Sequence, residues 1–113
     1  MADTKAARAA SGWPQVAVQR VGEAIVEPLL DAMAPFARLL IDEHREAGRP
    51  VVLATTTPYD AVKPFADALG LDDVIATRYG LRSDGAYDGT IDGEFVWGRG
   101  KLNAVRSWCR AHG

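Results

Sequence analysis

Val51-Val52-Leu53-Ala54-Thr55-Thr56-Thr57-Pro58-Tyr59-Asp60 is the stretch on which the fold turns. Val51 to Thr55 is apolar without alternation. That pattern predicts a strand covered on both faces, hence a parallel sheet with helices. Thr57-Pro58-Tyr59-Asp60 reads as a helix start, with Thr57 at the N-cap, Pro58 at the first helical position and Asp60 as the acid of a capping box. A hydroxyl at the carboxyl end of a parallel strand, facing a helix N-terminus, is suited to holding a phosphate. The first-turn N–H groups lack intrahelical partners there, and the helix dipole favours an anion.

Working outward, the helix after Pro58 presents Val62, Phe65, Ala66 and Leu69 on one side and stops at Gly70. Val74 to Thr77 reads as a second short strand, so the middle of the chain is strand–helix–strand, expected to be right-handed. Upstream, residues 1–13 read as frayed or weakly helical. Gln15 to Asp31 carries Val18, Val21, Ile25 and Leu29 at helical spacing, with Pro28 kinking or dividing it. Pro35 opens a further helix that runs to about Ala47 and ends at Gly48. Downstream, Asp84-Gly85 and Asp88-Gly89 punctuate a predicted hairpin of Tyr79–Arg82 and Ala86–Ile91. Arg99 to His112 reads as a last amphipathic helix, with Leu102, Val105, Trp108 and Cys109 inward.

With 113 residues, the chain is long enough for one ordinary domain and not two. A net charge of −2 gives no basic field for nucleic acid or an anionic membrane. The single cysteine, Cys109, excludes an intrachain disulfide. No apolar run approaches the roughly 20 residues of a membrane span, and Met1 to Ser11 lacks the apolar block of a signal peptide. A cytoplasmic enzyme or binding domain is the expectation, without nucleic acid or a membrane span.

Thr55 reads two ways, as a β-branched strand end or as a phosphate-binding hydroxyl helped by the N–H groups of Thr56 and Thr57. Lys101 also reads two ways. It is a solvated surface lysine, or a fixed ammonium that neutralises a phosphate. A lysine in the first turn opposes the dipole by a few tenths to about 1 kcal/mol, which draws attention to it and leaves both readings open. Gly98 and Gly100 before it allow close backbone approach. Asp84, Asp88 and Asp92 sit in glycine-rich turns where aspartate is expected anyway, so a metal site is rejected. His44 and His112 have no catalytic partner in the sequence. Cys109 and the three tryptophans, Trp13, Trp97 and Trp108, read as packing residues.

These pieces resemble the haloacid dehalogenase superfamily, and more narrowly its phosphoserine phosphatase-like branch, subfamily IB. The match runs from about Gly22 onward. It rests on His44-Arg45-Glu46-Ala47-Gly48, Val51 to Pro58, Leu69 to Arg78, Asp84 to Ile91, and Gly98 to Leu102. The resemblance implies an α/β fold, a partial Rossmann-like three-layer core with parallel strands flanked by helices, plus a β-hairpin. Residues 1–34 would be a partial helical cap segment and residues 35–113 a partial core. It also implies that Thr55 is the second-motif hydroxyl on the transferring phosphoryl group, and that Lys101 is the third-motif lysine holding that group and the nucleophilic aspartate. The family's first motif, Asp-x-Asp-x-Thr/Val, and its acidic pair for Mg²⁺ are absent from the chain.

The chain therefore reads as the middle of a Mg²⁺-dependent phosphomonoesterase acting on a small phosphorylated metabolite through an aspartyl-phosphate, with the metal ligands elsewhere. A truncated reading frame, a deliberately shortened piece and a degenerate paralogue all fit. The alternatives are a non-catalytic phosphate- or protein-binding α/β module, and an interaction domain without a site. A strand beside Val51–Thr55 would be missing, so self-association through open sheet edges is expected unless residues 1–30 fold back over them.

Overall fold

The computed structural model describes residues 5–93, 96 and 99–112. Trp97 and Gly98 lie outside the described residues. The elements in chain order are α1 (Lys5–Ala9), α2 (Gln15–Ala24), α3 (Val26–Ala32), α4 (Pro35–Glu46), β1 (Val52–Ala54), α5 (Tyr59–Ala68), β2 (Asp73–Ile75), β3 (Arg78–Leu81), β4 (Tyr87–Asp92) and α6 (Arg99–His112).

β1 and β2 pair in parallel, with Val52 opposite Asp73, Leu53 opposite Val74 and Ala54 opposite Ile75. Successive side chains alternate between the two faces. Leu53, Val74 and Ala76 pack with Val62 and Ala66 of α5. Val52, Ala54 and Ile75 pack with Val96 and with Ala104, Val105 and Trp108 of α6. The result is the expected three-layer α/β arrangement, built on two strands. The predicted second strand, Val74–Thr77, begins and ends earlier, because Thr77 turns its carbonyl to the Tyr59 N–H at 2.9 Å instead of to β1.

Leu102 is 48% exposed and Cys109 is exposed, against the expectation that both point inward. The seam of α6 runs through Ala104, and a sheet of two strands is too narrow to cover the flanks of a helix. The predicted Gln15–Asp31 helix is divided, at Ile25 (φ −93°, ψ 0°). Pro28 offers no N–H to the Ala24 carbonyl, and its ring excludes that carbonyl from a helical path. Residues 5–10 are more ordered than a frayed end. Ala7 and Ala10 are buried, and α1 lies on β4.

β3 and β4 form the predicted hairpin, antiparallel, with Tyr79 opposite Ile91 and Leu81 opposite Tyr87. Asp84 Oδ1 accepts from the Ala86 N–H in the turn. The second aspartate–glycine pair lies inside β4, where the register shifts. Gly89 takes φ +88° there, and Asp88 Oδ1 accepts from the Thr90 N–H and hydroxyl. The chain before α2 extends the hairpin. The Gly12 N–H donates to the Tyr87 carbonyl at 2.8 Å and the Tyr87 N–H to the Trp13 carbonyl at 2.9 Å.

α2 lies along α5, and Gly22 makes that closeness possible. A Cβ at residue 22 would come within 2.5 Å of the Ala61 carbonyl oxygen and 3.1 Å of the Asp60 carbonyl oxygen. Pro64, inside α5, leaves the Asp60 carbonyl without its usual i+4 donor. Gly22→Ala is expected to destabilise the chain by about 1–3 kcal/mol, because the obstacle is backbone and not a flexible side chain. Thermal melting checks it: a melting temperature equal to that of the parent chain would contradict the close approach.

At the far end of α6, the Trp108 indole Nε1 donates to Asp73 Oδ2 at 2.7 Å. The His112 ring stacks on Trp108 at 4.1 Å. Burial alone would raise the Asp73 carboxyl, but the Trp108 and Val74 N–H donors and nearby His112 outweigh it and hold it below the ordinary value. A carboxyl depressed in the folded state contributes stability that is complete above its ordinary value of 3.8 and lost as pH falls through the lower folded-state value. Asp73→Asn should therefore flatten the loss of stability in that acid window, measured by denaturant midpoint against pH. An unchanged slope would show that Asp73 does not drive it.

Candidate functional site

β1 ends at Ala54, and Thr55 is the first residue beyond it. The Thr55 N–H still donates to the Ile75 carbonyl at 3.0 Å, which fixes its backbone at the carboxyl end of the sheet. Its side chain is half-buried, while Thr56 and Thr57 are exposed. Thr55 Oγ1 accepts from the Thr57 N–H at 3.1 Å. That bond closes a short hydroxyl-stabilised turn. It engages the acceptor side of the Thr55 hydroxyl and leaves its proton available for an anion. It also occupies the Thr57 N–H.

The helix start differs from the predicted capping box. Pro58, in an extended conformation (φ −56°, ψ 143°), stands at the N-cap, and no side chain caps the helix. Asp60 turns away from the helix end. Its Oδ2 accepts from the Tyr87 hydroxyl at 2.7 Å, and its Oδ1 from Gln15 Nε2 at 3.2 Å. Those bonds are worth more to Asp60 than a single first-turn N–H, because each donor comes from a different element. Burial and the Asp60 carboxylate push the Tyr87 hydroxyl well above the usual tyrosine range. The arrangement also keeps the Asp60 carboxylate aimed away from the threonine turn, where it would repel an anion.

Lys101 is in the first turn of α6, and the packing of that helix decides where its ammonium is carried. Trp108 reaches Asp73 at the start of β2, whereas Ala104 packs against Ile75 at its end. α6 therefore runs antiparallel to the strands. Lys101 stands one turn before Ala104, in the first turn of α6, at the helix end nearer the carboxyl end of the strands. Lys101 is half-buried, and no described carboxylate forms an ion pair with it.

Thr77 is the residue that the sequence reading missed. It is 3% exposed. Its Oγ1 accepts from the Val96 N–H at 2.7 Å, and its carbonyl accepts from the Tyr59 N–H. One residue thus locates both the start of α5 and the segment leading into α6. The signal was present as a repeated pattern, since a threonine closes each apolar run, Thr55 after Val51–Ala54 and Thr77 after Val74–Ala76. Arg78 beside it lies over the Tyr59 ring at 3.9 Å, a contact that stiffens the same corner.

The donor set at this end of the sheet is a hydroxyl, backbone N–H groups and an ammonium. These suit an anion; a divalent cation needs carboxylate oxygens. Among the described residues, no three histidine, cysteine, aspartate or glutamate side chains are grouped as metal ligands. The residues present do not fit a Mg²⁺ site. The described cavities lie elsewhere. One of about 380 Å³ sits beside β2 and α6, lined by Asp73, Arg78, Asp92 and Trp108 among others. Another of about 350 Å³ lies between α2 and α5. Among the described residues, no helix is long and apolar enough to cross a membrane.

The family model of haloacid dehalogenase-like hydrolases matches residues 1–113. The "Inhibition of morphological differentiation protein" of Streptomyces azureus is 36% identical over 106 residues, covering 90% of this chain and 37% of that protein. Phosphoserine phosphatase SerB1 of Mycobacterium tuberculosis is 36% identical over 88 residues, covering 77% of this chain and 28% of its own length. A Bordetella pertussis protein described as of unknown function has a crystal structure that superposes with a TM-score of 0.69 at 29% identity, covering 81% of this chain and 41% of that one. The chain thus spans well under half the length of each of these relatives. The family model covers the chain from end to end, and this chain belongs to the haloacid dehalogenase-like hydrolase family.

Proposed function

We propose that this chain is the phosphate-positioning part of a phosphomonoester hydrolase, with residues 1–34 a partial cap segment and residues 35–113 a partial core. The reading is supported above all by one observation, that the antiparallel run of α6 carries Lys101 toward the sheet end that holds Thr55. Relatives named as phosphatases support the substrate class, a small phosphorylated metabolite. In this reading the Thr55 hydroxyl donates to a phosphoryl oxygen, and the Thr56 N–H adds a second donor. The Lys101 ammonium neutralises the group and holds it against the turn. Thr77 and Asp60 keep the turn and the helix start in place.

By the family resemblance, the parent reaction would pass through an aspartyl-phosphate with Mg²⁺ assistance; the compartment proposed, from composition, is the cytoplasm. The nucleophile and the metal ligands would come from outside these residues, since no Asp-x-Asp occurs in the chain. The second reading is a non-catalytic module that uses the anion site for a phosphorylated metabolite or a protein.

The isolated chain is expected to show no turnover of an aryl phosphate with Mg²⁺. Activity that survives repurification and is abolished by Lys101→Ala would overturn that expectation. Inorganic phosphate is expected to bind in the millimolar range, because one ammonium and a few donors contribute only about 4 kcal/mol. In an NMR titration, the Thr55 and Thr56 amides should shift. The Thr57 amide should follow indirectly through its bond to Thr55 Oγ1. Lys101→Ala should weaken the effect by roughly tenfold, about 1.4 kcal/mol. Unmoved threonine amides at high phosphate would remove the anion site.

A further inference from the structure

An aspartate in the first turn of a helix ordinarily turns its carboxylate onto the free N–H groups of that turn, where the dipole favours it. Asp60 is in the first turn of α5 and does the opposite. Both of its oxygens are taken by donors from other elements, Oδ2 by the Tyr87 hydroxyl at 2.7 Å and Oδ1 by Gln15 Nε2 at 3.2 Å. The helix start is left without a side-chain cap. The threonine turn leads into that same N-terminus. A carboxylate folded over the helix end and an anion held by Thr55 and Thr56 would therefore compete for one positive pole.

Tyr87 is the stronger of the two holds on Asp60. Its bond is the shorter one, and its side chain is the largest that is fully buried. A buried hydroxyl without a partner is costly, so the phenol has a standing reason to keep the carboxylate. It also keeps its proton, since burial, and then the Asp60 carboxylate, raise it well above the usual tyrosine range. The ring is fixed from the side by Tyr79, which meets it edge-on with centroids 5.5 Å apart. Its backbone is fixed by the chain before α2, through the Gly12 N–H to the Tyr87 carbonyl and the Tyr87 N–H to the Trp13 carbonyl. A phenylalanine would fill the same space. What the hydroxyl adds is a grip on Asp60.

We propose that Tyr87 is a positioning residue for the anion site: its hydroxyl holds the Asp60 carboxylate off the N-terminus of α5, and so couples the docking of the hairpin to anion binding at the threonine turn. This coupling rests on the proposed use of that turn as an anion site. Once released, the carboxylate turns to the first-turn N–H groups, caps the helix and repels the anion. The linkage is reciprocal. Whatever helps β4 hold Asp60 helps the anion bind, and a bound anion tightens the hold of β4 on α5.

Inorganic phosphate, titrated against the chain and followed at the Thr55 and Thr56 amides, tests this with Tyr87→Phe and with Tyr87→Phe combined with Asp60→Asn. The single variant should weaken binding by roughly tenfold, the effect of one carboxylate brought close to an anion near a protein surface. The double variant should recover the parent affinity, because asparagine keeps an acceptor for Gln15 and lacks the charge. A hydroxyl with a merely structural role gives the reverse order, since the second substitution weakens the same network further. Gln15 supplies a readout without phosphate: in Tyr87→Phe its side-chain amide should lose Asp60 and exchange its protons faster. Should Tyr87→Phe fail to fold, the unsubstituted chain still reports. Phosphate should slow hydrogen exchange at the Gly12 and Tyr87 amides, and should not do so in Asp60→Asn.

Four outcomes would each overturn the proposal and leave the anion site standing. They are phosphate affinity indifferent to a folded Tyr87→Phe variant, a double variant weaker than the single, a Gln15 amide still protected in Tyr87→Phe, and Gly12 and Tyr87 amides unmoved by bound phosphate. A parent chain that binds no phosphate would remove the site and the coupling together.

Discussion

Thr77 bonds two segments that approach the sheet from opposite sides, and the placement of both helical layers follows from it. Its carbonyl receives the Tyr59 N–H and its hydroxyl receives the Val96 N–H. The first bond sets where α5 begins, and the second holds the chain as it enters α6. A buried hydroxyl left without its partner costs about 1–3 kcal/mol, so the loop after β2 has a strong reason to keep both contacts. The proposed anion donors lie on the two segments that are tied. Thr55 and Thr56 precede α5, and Lys101 opens α6. In that reading the site is organised from behind, by a residue outside the proposed donor set.

A second tie works on the opposite side of α5. Asp60 gathers Gln15 from α2 and Tyr87 from β4, while Gly22 lets α2 lie against the Asp60 and Ala61 carbonyls. The N-terminal segment, α5 and the hairpin thus share one carboxylate. The proposed cap segment lies in this part of the chain. Here the carboxylate and the glycine explain, without reference to function, why α2 seats on α5 instead of hanging free.

The central strand–helix–strand unit, the hairpin and the final helix were legible in the sequence, because each has strong local signals: the apolar run at Val51–Ala54, Gly70 after α5, and Asp84-Gly85 in the turn. Thr55 and Lys101 stood out for the same reason, a special residue at the end of an element. What escaped was set by tertiary contacts. Asp60 matched a capping box by spacing, and only the arrival of Tyr87, distant in sequence, shows why it turns elsewhere. Thr77 looked like the last residue of a strand until Tyr59 and Val96 came to it. Leu102 and Cys109 fit an apolar stripe, but the stripe assumed a sheet wide enough to receive it. The α1 contact was also invisible, since an alanine-rich segment carries no period to read.

Among the described residues, six of the eleven buried apolar side chains are alanine. Ala7, Ala10, Ala66, Ala76, Ala86 and Ala104 are all buried, and Tyr87 is the largest side chain fully enclosed. Small residues let the layers approach closely, but they remove little apolar area from water. The heat capacity released on unfolding scales with that area. A chain of this length ordinarily shows about 1.4–1.7 kcal/mol/K, and an alanine-lined interior places this one below that range. Its stability curve should accordingly be shallow, low at its maximum yet slow to decline on either side, a shape that calorimetry would reveal directly.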